Sequence, residues 1–81
     1  MFKSGKYKTI KPNVTVFRDH MSIFTIPEVG SQVDIVEVEE KNLGKVIGYM
    51  KDGSYIIMKN IKGDISVEAV KAAKKKGEKN A

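Results

Sequence analysis

The sequence predicts a mainly β domain, a small open barrel of five or six short strands followed by a short C-terminal helix. Three observations predict it: short β-branched runs at close spacing, turn clusters of Gly, Pro, Asn and Asp between them, and an Asp52-Gly53 hairpin signal between two apolar runs. The 81 residues make one domain with a thin core. A chain this short buries only about 60% of the surface its unfolded form exposes.

Residues 1–12 are polar and lysine-rich and close on Pro12, which reads as a basic arm or an irregular edge strand. Asn13-Val14-Thr15-Val16-Phe17 is β-branched and reads as a strand. Arg18-Asp19-His20 is a turn, residues 21–26 form a strand, and Pro27 stops it at the turn cluster of residues 27–31. In residues 32–39, apolar Val33, Ile35 and Val38 alternate with Asp34, Glu37 and Glu39, while Val36 breaks the alternation and marks a bulge. A loop follows over residues 39–42.

Residues 44–50 and 54–59 flank the Asp52-Gly53 turn. A two-residue loop there pairs Met50 with Tyr55, Tyr49 with Ile56 and Ile47 with Met58. One face would carry Ile47, Tyr49, Ile56 and Met58, and the other Val46, Gly48, Met50, Tyr55 and Ile57. Both are largely apolar, so the hairpin is central in the fold or keeps one face for a partner. Residues 60–64 are another turn. Beyond it, Ser66 can cap a helix, Glu68 lies in its first turn, and Lys74, Lys75 and Lys76 lie in its last, before Gly77. Ile65, Val67 and Ala69 also alternate as a strand would, and the reading favoured over that alternative is a barrel core over 13–65, a helix over 66–76 and a frayed tail over 77–81. Strands this short and closely spaced suggest an open barrel of the OB or SH3-like kind.

The formal charge is +5, and it is segregated. Residues 1–18 carry +5 with no acid, residues 19–40 carry −6 with only His20 among basic types, residues 41–63 carry +4 and residues 64–81 carry +2. Such blocks give separate positive and negative surface patches. Of the 15 lysine and arginine residues, all but Arg18 are lysines. Lysine meets phosphate as a point charge but lacks the planar fork with which arginine reads base edges. Nucleic-acid binding by this chain is therefore expected to discriminate little between sequences.

Several chemistries find no support. With no cysteine there is neither a disulfide framework nor a thiolate zinc site, which suits a reducing cytoplasm. The basic start, Met1-Phe2-Lys3-Ser4-Gly5-Lys6, leads into no apolar segment, so no signal peptide and no membrane partner are expected. Asp19-His20-Met21-Ser22 places triad-type residues together, but neighbours on a turn rarely supply triad geometry, and no catalytic residue is assigned. One histidine and scattered carboxylates predict no metal and no cofactor, and the acids of residues 34–40 read as a solvated face. Gly44-Lys45-Val46-Ile47-Gly48 lacks the Gly-Lys-Ser/Thr ending of a phosphate loop. Gly48 instead suits a tight bend or a close approach of strands.

What remains is a binding module. Lysines cluster around the hairpin, and two tyrosines lie on its strands where they can stack on unpaired bases. The nucleic-acid-binding residues assigned on this basis are Lys45, Tyr49, Lys51, Tyr55, Lys59 and Lys62. RNA or single-stranded DNA is the expected ligand, with affinity that falls steeply with salt. The alternative is a small protein-interaction module, an inhibitor, adaptor or assembly subunit. It would use an exposed apolar hairpin face or the acidic 19–40 block, with a protein partner or a second copy of the chain.

Three stretches carry a family resemblance. Val29-Gly30-Ser31-Gln32-Val33-Asp34-Ile35, the glycine-rich strand and hairpin of residues 44–58, and Ile61-Lys62-Gly63-Asp64-Ile65-Ser66-Val67 resemble TRAM domains. The resemblance covers residues 29–70. It implies a small OB-like barrel that binds RNA through surface lysines and aromatics without catalysis. It also implies a final strand where local composition reads helix.

Overall fold

The computed structural model describes residues 2–70. Eight strands form: β1 (Gly5–Thr9), β2 (Val14–Arg18), β3 (Met21–Ile26), β4 (Gln32–Ile35), β5 (Glu37–Glu40), β6 (Val46–Tyr49), β7 (Tyr55–Lys59) and β8 (Val67–Ala69). They build two antiparallel sheets, a three-stranded one in the order β4-β1-β8 and a five-stranded one in the order β3-β2-β7-β6-β5. The mainly β class holds. The expected five or six strands are corrected to eight, arranged in two sheets that do not close into a barrel among the described residues, with β3 left as a sheet edge.

Two of the added strands come from segments that composition disguised. The segment expected as a basic arm or irregular edge strand instead holds the central strand of the small sheet: β1 pairs with β4 on one side and β8 on the other. Its lysines alternate with Tyr7 and Thr9, which are buried, so the run is amphipathic with period two. The helix expected from residue 66 is likewise corrected at its start. Residues 67–69 are strand, with Val67 fully buried, and the Val70 N–H donates to the Lys6 carbonyl at 2.9 Å. Burying Val67 and satisfying the second edge of β1 outweigh the helix propensity of Glu68 and Ala69, which is worth only tenths of a kcal/mol per residue, about 0.7 at most. The remainder of that helix and the frayed tail lie outside the described residues.

The turns follow their sequences. Asp19 and His20 both have positive φ, 53° and 66°, and join β2 to β3 as a two-residue hairpin with Arg18 opposite Met21. That left-handed pair matches the twist of the strands it connects. Val36 separates β4 from β5, and its N–H donates to the Tyr49 carbonyl at 2.8 Å. The break in alternation thus marks where one extended run leaves the small sheet and enters the large one.

The central hairpin forms with a different register from the one expected. Its loop has three residues: the Gly53 N–H donates to the Met50 carbonyl at 3.0 Å, and the Met50 N–H to the Ser54 carbonyl at 2.7 Å. Gly53 has φ 89°, the left-handed position that this loop form requires after its turn. Tyr49 therefore pairs with Tyr55, Gly48 with Ile56 and Ile47 with Ile57. The extra loop residue shifts the pairing by one, which moves one strand's side chains to the other face. Ile56 and Met58 turn inward and are fully buried.

The core lies between the sheets and includes Tyr7, Val14, Val16, Val33, Ile35, Val46, Ile56, Met58 and Val67. Gly48 on β6 lies tight against side chains of both sheets. A Cβ on it would lie 2.6 Å from Met58 Sδ and 3.0 Å from Ile35 Cδ1. The close approach expected at this glycine is present.

Candidate nucleic-acid interface

The five-stranded sheet has a second face, turned away from the small sheet. Cross-strand pairing aligns Phe17 on β2, Tyr55 on β7, Tyr49 on β6 and Glu37 on β5 in one row. The next row holds Ile57, Ile47 and Glu39. Phe17 and Tyr55 are stacked, with ring centroids 5.4 Å apart and planes at 19°, and Tyr49 meets Tyr55 at 5.5 Å and 55°. All three rings are half-buried, so they support one another and still meet solvent. A shallow concavity of about 400 Å³ lies over them, bordered by His20, Lys41 and Lys45.

Lys45 reaches this place because Asn42–Gly44 turns the chain sharply, with Leu43 at φ 63°, and the Lys41 N–H donates to the Lys45 carbonyl at 2.6 Å. Lys45 is half-buried and takes part in none of the four ion pairs found among the described residues. Lys41 is engaged, with its Nζ 3.2 Å from Glu39 Oε2. The Tyr49 hydroxyl donates to Glu39 Oε1 at 2.7 Å. That hydrogen bond, then the one from Lys41, holds the Glu39 carboxyl below its usual range. The same bond, followed by burial, pushes the Tyr49 hydroxyl above its usual value.

Of the six residues assigned from sequence, the structure brings Lys45, Tyr49 and Tyr55 together. The other three lie elsewhere. Lys51 is at the hairpin tip and borders a groove on the inner side, beside Phe24 and Val33. Lys59 pairs with Val46 at a register shift and borders another inner-side groove with Glu40 and Val67. Lys62 is exposed on the turn after β7, where Asn60 Oδ1 accepts from the N–H groups of Lys62 and Asp64. The expected face with Tyr49 beside Ile56 is corrected by the three-residue loop, which sets the two tyrosines opposite each other.

Phe17, Lys41 and Ile47 border the same concavity and are not singled out by the sequence. Only the pairing of β2 with β7 reveals Phe17, and that contact is remote in sequence. Arg18 fixes the same end of the sheet: its Nη2 lies 2.7 Å from Asp52 Oδ2. Hydrogen bonds from the Ser54 hydroxyl and amide, with Arg18 adding to them, hold the Asp52 carboxyl below its usual range. Among the described residues there is no cluster of three His, Cys, Asp or Glu suited to a metal, and no helix long and apolar enough to cross a membrane.

No protein-family model, no curated protein and no solved structure matches this chain.

Proposed function

We propose that this domain binds single-stranded nucleic acid, RNA or DNA, on the outward face of β2, β7 and β6, without catalysis and with little sequence discrimination. The observation that carries the reading is the row Phe17, Tyr55, Tyr49. Three touching, half-exposed rings on the side of a sheet opposite the core add little to core packing. Their solvent-facing parts form a shared apolar surface, and an unpaired base that stacks on an aromatic ring gains about 1–3 kcal/mol. Lys45 at the rim supplies phosphate contact, as does Lys11, which borders the adjoining concavity beside Phe17 and Ile57. In this reading the cytoplasm is where the domain works.

The resemblance to TRAM domains supports the same ligand class. An OB or SH3-like relationship is supported by β4 and β5, which are nearly continuous through Val36, and by the bridge from Lys59 of β7 to Ile65, two residues before β8.

Fluorescence anisotropy of labelled single-stranded RNA, single-stranded DNA and duplex DNA tests the proposal. Both single strands are expected to bind and the duplex weakly, because its bases are already stacked. A duplex that binds as well as the single strands overturns the stacking role.

A second reading, protein interaction, is favoured by β3. This edge strand has no charge over Met21–Ile26 and leaves Met21, Ile23 and Phe24 exposed. A bulge at Ile23 is the edge-protecting device it does carry. Sedimentation over a concentration series tests self-pairing through this edge. A strict monomer removes the second copy from consideration.

A further inference from the structure

The aromatic row ends on a carboxylate. Glu37 lies directly across from Tyr49 on β5, the edge strand of the large sheet, and its side chain shares the outward face. Glu37 is exposed and makes no ion pair or side-chain hydrogen bond among the described residues. Its charge is felt at the Tyr49 hydroxyl. Glu39, one row along, is occupied by Tyr49 and Lys41. Glu37 is therefore the carboxylate on this face with its acceptors still open.

A carboxylate beside a nucleic-acid platform repels phosphate, so its use must lie with a base edge. Strands are about 4.8 Å apart, so a purine stacked over Tyr49 extends its edge to the β5 row. An ionised carboxylate only accepts hydrogen bonds. Guanine is the base whose Watson–Crick edge offers two adjacent donors, N1–H and the N2 amino group, spaced to meet both carboxylate oxygens. Uracil has a single N–H flanked by two carbonyls that the carboxylate repels. Adenine and cytosine each offer one amino group beside a ring acceptor.

Resting on the stacking reading above, we infer that Glu37 selects guanine at the base position over Tyr49. The remaining positions along Tyr55 and Phe17 stay tolerant of sequence. Lys45, Lys41 and His20 border the concavity on this face, and Lys41 is held by Glu39, which leaves Glu37 as the unpaired charge of the β5 row.

The test uses the full chain and labelled uridine oligonucleotides about ten nucleotides long, a length within the usual range of single-strand sites. One central position is varied through guanosine, inosine, adenosine and cytidine. The guanosine oligomer is expected to bind about tenfold tighter than all-uridine, the size of one good bidentate base contact. Inosine, which lacks the N2 amino group, should lose most of that gain. Glu37→Gln should bring guanosine and inosine together. Glu40→Gln removes a charge from the same strand on its other face, where Glu40 borders the inter-sheet groove, and should keep the preference. Binding of all oligomers with equal affinity, or guanosine equal to inosine in the wild type, overturns the selection by Glu37 and leaves the platform standing. No binding by any oligomer at low salt overturns both.

Discussion

Replacing Tyr55 with alanine removes the middle of the aromatic row. Two ring contacts disappear, one to Phe17 at 5.4 Å and one to Tyr49 at 5.5 Å. Aromatic pairs of this kind contribute about 0.5–1.5 kcal/mol each beyond area burial, so the variant should lose about 1–3 kcal/mol of stability on top of the apolar area the ring gives up. For a domain this small, each kcal/mol lowers Tm by roughly 4–8 °C. Ile56 and Met58, which hold β7 in the core, are untouched, so the fold should survive. Binding should weaken by the stacking of one base, about 1–3 kcal/mol or roughly 5- to 150-fold in Kd. Tyr55→Phe keeps the ring and should bind within about twofold of wild type, because sequence-tolerant stacking needs a π-face and no hydroxyl. The assay is anisotropy on single-stranded RNA well below each variant's Tm, with circular dichroism confirming the fold. A folded Tyr55→Ala that binds like wild type refutes the stacking argument, and so does an equal loss in Tyr55→Phe.

Other expectations follow from the same geometry. With Lys45 and Lys11 as the cations beside the rings, log Kobs should fall with log salt at a slope of about −1.4. That is roughly sevenfold between 50 and 200 mM salt, and Lys45→Gln should bring the slope to about −0.7. This is shallower than the lysine count alone suggests, and titrations at several salt concentrations measure it. Gly48→Val should destabilise by about 1–3 kcal/mol through overpacking against Met58 and Ile35, read by urea denaturation. Tyr49→Phe should let the Glu39 carboxyl rise toward its usual value, followed by NMR titration. Glu39 is depressed in the folded state, so its contribution is present above the ordinary carboxylate pKa and fades as pH falls through the lowered one. The acid side of the stability profile should therefore flatten slightly in Tyr49→Phe.

The strands expected over residues 13–17, 21–26 and the two arms of the hairpin were legible and form within two residues of their expected bounds, with Arg18 in β2 rather than in the turn. The turns at Asp19-His20 and over residues 60–64 were legible as well, because their residue types tolerate the required backbone. The hairpin register was not. Asp-Gly serves both a two-residue loop and a three-residue loop with a left-handed glycine, and the local sequence does not choose between them. Packing chooses, by drawing Ile56 and Met58 into the core. That choice alone decides whether Tyr49 and Tyr55 share a face. The same limit hid Phe17, whose place depends on a pairing far along the chain. Alternation in β1 was readable in principle from Lys6-Tyr7-Lys8-Thr9, but the lysines dominated its composition. Val67 was misread because helix formers follow it, while the unpaired edge of β1 is a tertiary feature.

The central claim is that ligand meets the outward face of β2, β6 and β7. Amide and aromatic chemical-shift mapping with a short single-stranded RNA tests it most directly. The account predicts that the largest changes fall on Phe17, Lys45, Ile47, Tyr49 and Tyr55, with little change at Lys51, Lys59 and Lys62. Changes centred on β1, β4 and β8, or spread evenly over the surface lysines, would contradict it.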